Sequence, residues 1–482
     1  MHKTELKATI GACITLQATL GAYIRMQAKL TACMLLHAKL LAYIPLHALL
    51  LWICDDWNIK RERVRGVTTD GGANIKAAVK TLFCEDKHVT CLAHILNGIG
   101  QKVIGNHAGP PSELEPTAAQ PSRADRGDDD DGDFGMEEEE REARGHPRRE
   151  LIVKTKKIVR FFKQSEVASA ELLELQVADG KPEFKCLKQI QEVRTRFNSC
   201  FDMCVRYLEL APYTAPVLHE LQRSRASRAT GPEALNADEE EVLTEMRDLL
   251  APLARATKEI SGEKICNLSK VIPVVQSLAN NVNKYMASTP VCFDMKEHLL
   301  ALLREKFANV EGVRWYAAAT LLDPRFKKFG FNHDTTTASS YRIAGGLVKA
   351  KMAEAADAEN AAVQARQPTA SQNVQDDFWG DYDEQVQRHS ATQSNQDMAG
   401  GIPVQLRQYL DRPPVDRLAN PDPLIAWAPF KGEYKAVYSV AEEYLIILAT
   451  AIPSERLFSN AGLIASPIKS RMSPKHLELL VF

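Results

Sequence analysis

The feature that most constrains the fold is helical hydrophobic spacing, which continues over most of residues 151–345. In segments such as 197–210 and 240–260, apolar side chains recur every three or four residues, which places them on one face of an α-helix. Pro252 and Pro273 indicate helix starts or kinks rather than strands. The sequence therefore predicts a large all-helical region in the middle of the chain.

A shorter segment before this region has a different pattern. Residues 65–69 and 88–92 have the composition of strands, and helical spacing follows each of them, over 73–83 and 94–103. Strands that alternate with helices are typical of an α/β sheet. The predicted fold class is therefore α/β plus α, with the sheet encoded before the helical region.

Composition limits the class of function. The chain has 482 residues, and 45% of them are apolar, which excludes wholesale disorder. Lys and Arg number 60 against 62 Asp and Glu, so a nucleic-acid partner would need a local basic patch. The 10 cysteines are scattered, which indicates a reducing compartment rather than a disulfide scaffold.

Residues 1–50 contain a ten-residue repeat in which every even position from Leu6 to Leu50 is apolar. Strict alternation indicates a β-strand, whereas the Ala and Leu content favours a helix, and neither pattern is consistent over this length. Polar residues such as His37 and Lys39 interrupt a membrane span. We therefore predict that this segment is not a native domain and that the protein has no membrane partner.

Changes in composition divide the rest of the chain. The run DRGDDDDGDFGMEEEERE cannot bury apolar area, and a later stretch is rich in Ala, Gln, Asn and Asp. The predicted segments are an α/β core (52–106), an acidic disordered insert (107–149), a helical insertion domain (150–345), a disordered linker (346–402) and a C-terminal helical region (403–482).

Asp70 is the first candidate for chemistry, because it directly follows a predicted strand and precedes two glycines. A carboxylate in this position can approach a divalent metal without obstruction. The same pattern is common for an Asx-turn or a helix N-cap. The residues alone leave both interpretations open.

Three other motifs have a structural alternative to a functional role. Cys91 and His94 have the C-x-x-H spacing of half a zinc site, but the other half is missing, so a packed cysteine with a hydrogen-bonded histidine is the alternative. In TRFNS, Arg196 and Phe197 either cap a helix beside a buried ring or touch phosphate and base. In LLDPRF, we expect Asp323 and its neighbours to be structural.

The C-terminal stretch from Asp422 contains three predicted short helices. Tyr434, Tyr444 and Leu445 lie on one continuous apolar face. Glu455 lies in the first turn of the next helix, where a carboxylate complements the helix dipole. Short helices with wide apolar faces bury little area alone, so we expect them to pack on another domain or chain.

Taken together and in this order, these segments resemble the hAT superfamily of DNA transposases and the BED-finger proteins domesticated from them. The most specific similarity is in residues 422–482, where DPLIAW, ATAIPSERLFSNAGLIAS and SPKHLELLVF resemble the hAT C-terminal dimerisation region. Supporting motifs are VTTDGGANIKAAV, CLAH, RFFKQS, TRFNS and ATLLDPRFK.

The resemblance implies an RNase H-like fold that a large helical insertion interrupts before the last catalytic helix. Residues 52–106 would form an incomplete RNase H-like core, and residues 403–482 would hold the dimerisation region and that last helix. Members of the family cut DNA with three carboxylates that bind two divalent metals, Mg²⁺ or Mn²⁺. By motif matching, Asp70 corresponds to the second carboxylate and Glu455 to the third.

The resemblance also implies binding residues. For DNA these are Arg196, Phe197 (where family members usually carry Trp), Lys469 and Arg471, with Lys154–Arg160 as a further basic patch. For dimerisation they are Trp427, Tyr434, Tyr444, Leu445, Phe458 and Leu480. The expected partners are a second copy of the chain and DNA, and the expected localisation is nuclear.

The first carboxylate is expected upstream of Trp52, but residues 1–50 contain no Asp, and Glu5 is their only acid. The BED zinc finger expected further upstream is also absent, so we predict no zinc site. With one ligand missing, two-metal clamping fails and the rate falls by orders of magnitude. The resemblance leads us to expect that the first three strands are missing too, which would leave residues 65–69 as an exposed sheet edge.

The leading hypothesis is therefore a transposase-derived protein, catalytically inactive, with dimerisation activity and weak DNA binding. The alternative is an active hAT-type transposase in which Asp55 or Asp56 replaces the missing carboxylate, with Mg²⁺ or Mn²⁺ as cofactor. A third hypothesis is a decayed reading frame whose product barely folds.

Overall fold

The computed structural model describes residues 13–16, 46–56, 58–105, 134–223, 231–262, 266–365, 402–419 and 422–455. These residues are mostly helical and belong to two compact units. The helical unit comprises the described parts of Leu92–Gly262 and Ser277–Ala308. The sheet unit comprises the described parts of Glu5–Cys91, Glu263–Gln276 and Asn309–Phe482.

Within the described residues, the sheet has three strands in the order β1–β2–β3. Strand β2 (Val64–Thr69) is central, β1 (Cys13–Leu16) pairs with it antiparallel, and β3 (His88–Thr90) pairs with it parallel. Parallel neighbours need a crossover connection, which helix α2 (Ala73–Phe83) provides. The strand–helix–strand pattern predicted over 65–92 is confirmed.

Helix α1 (Leu46–Asp56) places the end of the N-terminal repeat in the core of the sheet unit. Leu50 and Ile53 are buried in one cluster with Val67 of β2. Strand β1 also belongs to the repeat, and it pairs with the edge of β2 that we expected to be exposed. The described parts of the repeat therefore belong to the sheet unit, where residues 13–16 form a strand and residues 46–50 begin a core helix, although the sequence predicts that residues 1–50 are not a native domain.

The helical unit contains, in chain order, α3 (Leu92–Ile104), α4 (Phe134–Ala143), α5 (Pro147–Gln164), α6 (Glu166–Ala178), α7 (Phe197–Arg223), α8 (Ala237–Gly262), the end of α9 (Val271–Lys284) and α10 (Pro290–Phe307). Helix α3 packs against α7, α8 and α10. Phe197 of α7 is fully buried against Gly100 of α3, where an added Cβ would lie 2.2 Å from the ring. Glycine at this position therefore permits the close approach of the two helices.

A buried carboxylate joins α8 to the start of α10. Glu245 is 7% exposed and accepts hydrogen bonds from the backbone N–H and hydroxyl groups of Ser288 and Thr289. Burial raises the pKa of Glu245, but the hydrogen bonds outweigh burial and lower the pKa to about 2. Thr289 is also the N-cap of α10, since its hydroxyl accepts from the N–H of Cys292. The ionised carboxylate thus stabilises the start of α10.

The remaining helices of the sheet unit are α11 (Arg314–Leu322), α12 (Asp334–Ala365), α13 (Val404–Asp411), α14 (Pro423–Trp427) and α15 (Lys435–Leu445). The carbonyl of Leu322 accepts hydrogen bonds from Nε1 of Trp427 at 2.8 Å and from the Tyr409 hydroxyl at 2.9 Å. The Tyr409 and Trp427 rings stack with centroids 4.5 Å apart. The end of α11 therefore packs directly against α13 and α14.

The domain boundaries differ from the predicted ones. Helix α3 belongs to the helical unit rather than to the predicted core over 52–106, and the part of the predicted insertion after residue 308 belongs to the sheet unit. Helix α12 continues to Ala365, inside the predicted linker 346–402, and α4 lies inside the predicted acidic insert 107–149. Composition suggested disorder in both places, but partner helices stabilise these segments. No described helix is long and apolar enough to cross a membrane.

Candidate functional site

Asp70 lies half-buried at the carboxyl end of β2, in a turn made by the two glycines that follow it. Its Oδ1 accepts a hydrogen bond from the N–H of Gly72 at 3.1 Å, and Gly71 has a φ of +92°, which favours glycine. Gly72, not Asp70, is the N-cap residue of α2. The structure therefore shows the Asx-turn, and this turn uses one carboxylate oxygen.

Asp70 shares this end of the sheet with His88, Thr69 and Lys76. Thr69 is fully buried, and its Oγ1 lies 2.8 Å from Nε2 of His88. Burial lowers the pKa of His88, the Lys76 ammonium lowers it further, and the Asp70 carboxylate opposes both effects. The end of β2 thus combines charges of both signs.

Cys91 connects this end of the sheet to the C-terminal part of the sheet unit. Its N–H donates to the Thr69 carbonyl at 2.7 Å, and its buried Sγ accepts from the N–H of Ala451 at 3.2 Å. The Ala451 carbonyl in turn accepts from the N–H of Glu455 at 3.1 Å. A short path of hydrogen bonds therefore links the positions of Asp70 and Glu455, which lie far apart in sequence.

Residues 446–451, which lead to the second acidic position, are held by contacts with two other segments. The Thr68 hydroxyl of β2 donates to the Leu448 carbonyl at 2.6 Å. The N–H of Ala449 donates to the Cys266 carbonyl at 2.7 Å. Because both contacts join residues distant in sequence, the location of residues 452–455 depends on tertiary packing rather than on local propensity.

The described side chains do not fit the metal centre implied by the resemblance. That centre needs three carboxylates for two metals. In the part of the chain that the structure describes, no group of three or more His, Cys, Asp or Glu residues could hold a metal ion. Asp55 and Asp56, the suggested replacements for the missing carboxylate, are exposed at the end of α1.

The C-x-x-H pair does not act as a unit in this structure. Cys91 is fully buried and its sulfur accepts a backbone hydrogen bond, whereas His94 is exposed on α3. The contacts therefore favour a packed, structural cysteine at position 91 over a zinc ligand.

The predicted DNA-binding residues differ in their exposure. Phe197 is fully buried, and its N–H donates to Oδ1 of Asn97 at 2.8 Å, so the prediction that its ring stacks on a base was wrong. The ring fills the core of the helical unit instead. Arg196 is exposed beside it and stays a predicted DNA contact. Lys469 and Arg471 lie outside the described residues.

Within the predicted basic patch Lys154–Arg160, the lysines have carboxylate partners in the same unit. Lys154 lies 2.7 Å from Glu239, and Lys156 lies 2.7 Å from both Glu139 and Glu192. The lysines of this patch are therefore paired within the unit, and DNA contact through the patch stays a prediction.

The predicted dimerisation residues that the structure describes are inside the sheet unit. Their exposed fractions are 0% for Trp427, 2% for Tyr434, 5% for Tyr444 and 0% for Leu445. The Tyr444 ring, for example, lies 5.0 Å from the ring of Trp315. These apolar faces pack within their own chain in this structure, and their contact with a second chain stays a prediction. Phe458 and Leu480 lie outside the described residues.

Lys327, which the sequence did not single out, is a buried lysine of the sheet unit. It is 2% exposed, and its Nζ donates to the carbonyls of Tyr409 at 2.7 Å and Arg412 at 2.8 Å. Burial lowers the pKa of Lys327, and nearby Arg412 lowers it further, to about 8. The adjacent Asp323–Arg325 ion pair, 2.7 Å long and fully buried, is structural as expected. The carbonyls that accept from Lys327 belong to residues at the end of α13, distant in sequence, so the sequence alone does not identify them.

Comparison with known proteins places the family similarity at the C-terminus. Residues 405–482 match the hAT family C-terminal dimerisation region. A human relative, Zinc finger BED domain-containing protein 4, is 24% identical over 334 residues. The alignment covers 69% of this chain and 27% of the relative, so the chain corresponds to a minor part of that protein's length. The predicted resemblance to hAT-type and BED-finger proteins is confirmed.

Proposed function

We propose that this protein derives from a transposase, associates with a second copy of itself through residues 405–482, and no longer cuts DNA. Weak DNA contact and nuclear localisation are part of the same proposal. The observation that carries it is the match of residues 405–482 to a dimerisation region. The similarity to a human BED-domain zinc finger protein supports a nuclear, DNA-associated role.

An RNase H-like ancestry of the sheet unit is supported by the path of hydrogen bonds between the positions of Asp70 and Glu455. These are the residues that the resemblance assigns to the second and third carboxylates. Loss of catalysis is supported by the Asx-turn that uses one oxygen of Asp70 and by the donor set of the described residues. Without a third ligand, two metals cannot be clamped on a reacting phosphate.

The contact between copies is proposed to centre on residues 456–482. The aromatic side chains of the preceding part of the region, Trp427 and Tyr434 among them, are already buried in the sheet unit. A truncation before Asp422 would remove Trp427 and disrupt the core, so it cannot separate folding from association. Point variants in the full chain avoid this problem.

The test is sedimentation of the full chain with Phe458→Asp and Leu480→Asp, singly and together. We expect the parent to sediment as a dimer and the double variant as a monomer, because a carboxylate is costly to desolvate in an apolar contact. Phe184→Asp is the matched control, because Phe184 is 85% exposed in the helical unit. A double variant that stays folded and dimeric contradicts the proposal.

A second candidate function is metal-dependent DNA cleavage and strand joining, and the preserved link between the positions of Asp70 and Glu455 is what favours it. It predicts nicking of a hairpin or DNA-end substrate in Mg²⁺ or Mn²⁺ that Glu455→Gln abolishes. Glu174→Gln, an exposed position of α6, is the control. Absence of nicking by the parent in both metals excludes this candidate.

A further inference from the structure

Helix α4 is an acidic helix that lies along the basic helix α5. Its sequence is FGMEEEEREA, while α5 reads PRRELIVKTKKIVRFFKQ. Successive glutamates of α4 pair with cations of α5. The pairs are Glu139–Lys156 at 2.7 Å, Glu142–Arg149 at 2.5 Å and Glu140–Lys157.

The apolar contact beneath these pairs is small. Met136 and Ala143 of α4 form a buried cluster with Val153 of α5. The side chains of the Glu140–Lys157 pair are 34% and 41% exposed, so salt screens their attraction. An exposed ion pair of this kind contributes at most about 1 kcal/mol. The Lys156 and Arg149 side chains are only 13% and 10% exposed, so salt screens their pairs with α4 less. Helix α4 is therefore held mainly by contacts that a competing polyanion can replace.

The cations under α4 share one face of α5. Lys156 and Lys157 lie two helical turns beyond Arg149, which places the three on the same side of the helix. A row of carboxylates along such a face occupies the positions that a row of phosphates would take. Lys154 pairs with Glu239 of α8, and Lys156 lies 2.7 Å from Glu192 as well as from Glu139, so both lysines have a partner that is independent of α4.

We propose that the face of α5 that carries Arg149, Lys156 and Lys157 binds the phosphate backbone of duplex DNA, and that α4 covers this face and competes with DNA for it. The inference deepens the DNA contact of the proposed function, on which it rests, by naming its surface. Because phosphate contacts release counterions, each cation freed from α4 adds to the salt dependence of binding.

The first experiment measures binding of a short labelled DNA duplex by fluorescence anisotropy over a series of salt concentrations. In the full chain, Glu139→Gln, Glu140→Gln and Glu142→Gln are combined. We expect an affinity increase of about tenfold or more at low salt and a plot of log K against log salt that is steeper by about 2. Adding Lys157→Gln and Arg149→Gln to this variant should cancel the gain.

The matched control combines Glu174→Gln, Glu183→Gln and Glu220→Gln, three exposed glutamates of the helical unit, which change the net charge equally. We expect little gain from it. An equal gain in both triple variants assigns the effect to net charge and overturns the inference, while the DNA contact itself stands. No gain in the α4 variant also overturns it.

A second measurement uses the unmodified chain and does not depend on the variants folding. Hydrogen–deuterium exchange of the α4 amides should accelerate when saturating duplex DNA displaces the helix, and α6 amides serve as the internal reference. Exchange in α4 that is unchanged or slower with DNA overturns the inference. Self-association is measured separately by sedimentation, so its failure is distinguishable from failure of DNA binding.

Discussion

The helical unit and the sheet unit bury a charged side chain in opposite ways. Glu245 accepts four hydrogen bonds from Ser288 and Thr289, and these hold its pKa at about 2, so the ionised form is stabilised. Lys327 donates to two carbonyls, but burial and nearby Arg412 lower its pKa to about 8, so its ionised form is disfavoured. The comparison shows that an ionised side chain is stable in the core when it has enough hydrogen-bond partners of the right polarity.

The two units also differ in where their contacts come from. Much of the helical unit forms between helices whose spacing is visible in the sequence. At the centre of the sheet unit, residues 446–451 contact both β2 and residues 266–268, and these three segments are separated by well over a hundred residues in sequence. All 5 tryptophans fall within the sequence ranges of the sheet unit, so tryptophan emission reports on that unit selectively.

The largest expected effect is in the sheet unit, at Trp427. Trp427→Ala removes a fully buried ring that stacks on Tyr409 and donates to the Leu322 carbonyl. We expect the free energy of unfolding to fall by about 3–5 kcal/mol. Denaturant unfolding followed by tryptophan emission measures it. Ile425→Ala, on the same helix but at a side chain 67% exposed, should change stability by less than about 0.5 kcal/mol. Equal effects of the two variants would contradict the assignment of Trp427 to the core.

The next effect is a loss of helical-unit stability in acid. The pKa of Glu245 is 4.5 unfolded and about 2 folded, so its contribution is complete above pH 4.5 and disappears as the pH falls towards 2. The shift corresponds to about 3 kcal/mol. Exchange of α8 and α10 amides as a function of pH measures it. Glu245→Gln should remove this pH dependence, whereas Glu241→Gln, at an exposed site of α8, should preserve it.

The lowered pKa of Lys327 leads us to expect that the stability of the sheet unit changes with pH in the alkaline range. The pKa of its ammonium is 10.5 unfolded and about 8 folded, so the unfolded chain binds more protons between these values. Stability should therefore rise with pH from about 8 to 10.5, by up to about 3 kcal/mol. Tryptophan-monitored unfolding across this range measures the rise, and Lys327→Met should abolish it. Lys328→Met is the exposed control. A rise that persists in Lys327→Met would assign it to another group.

The smallest expected effect tests the close packing of α3 against α7 in the helical unit. At Gly100 an added Cβ would lie 2.2 Å from the Phe197 ring, whereas at Gly98 it would meet nothing within 4 Å. Gly100→Ala should destabilise the unit by about 1–3 kcal/mol through overpacking. Gly98→Ala should stabilise it by up to about 1 kcal/mol through helix propensity. Circular dichroism melts of both variants measure the pair, and the same sign for both would contradict the close contact of α3 and α7.

The same comparison explains which features could be predicted from the sequence. Helix α10 follows local rules, with Thr289 as its N-cap and Pro290 in its first turn. Nothing near Cys91 indicates that its sulfur accepts from Ala451, because that contact exists only after distant segments pack. Periodicity identified Phe197 as an apolar position but not the helix that it contacts.

For two segments, only the fold shows which residues cover them. The acidic run of α4 has the composition of a solvated segment, and the basic helix α5 and Arg194 provide partners for its charges. The aromatic face of residues 422–445 was expected to pack on another domain or chain, and in the structure it packs on α11 and α13 of the same unit. A sequence shows that a surface must be covered more readily than it shows what covers it.

Sedimentation equilibrium of the unmodified chain tests self-association most directly. At micromolar concentration we expect a mass of twice the 53.6 kDa of one chain, with dissociation on dilution or with Phe458→Asp and Leu480→Asp. A mass of 53.6 kDa at every concentration would contradict the proposal that residues 405–482 join two copies of this protein.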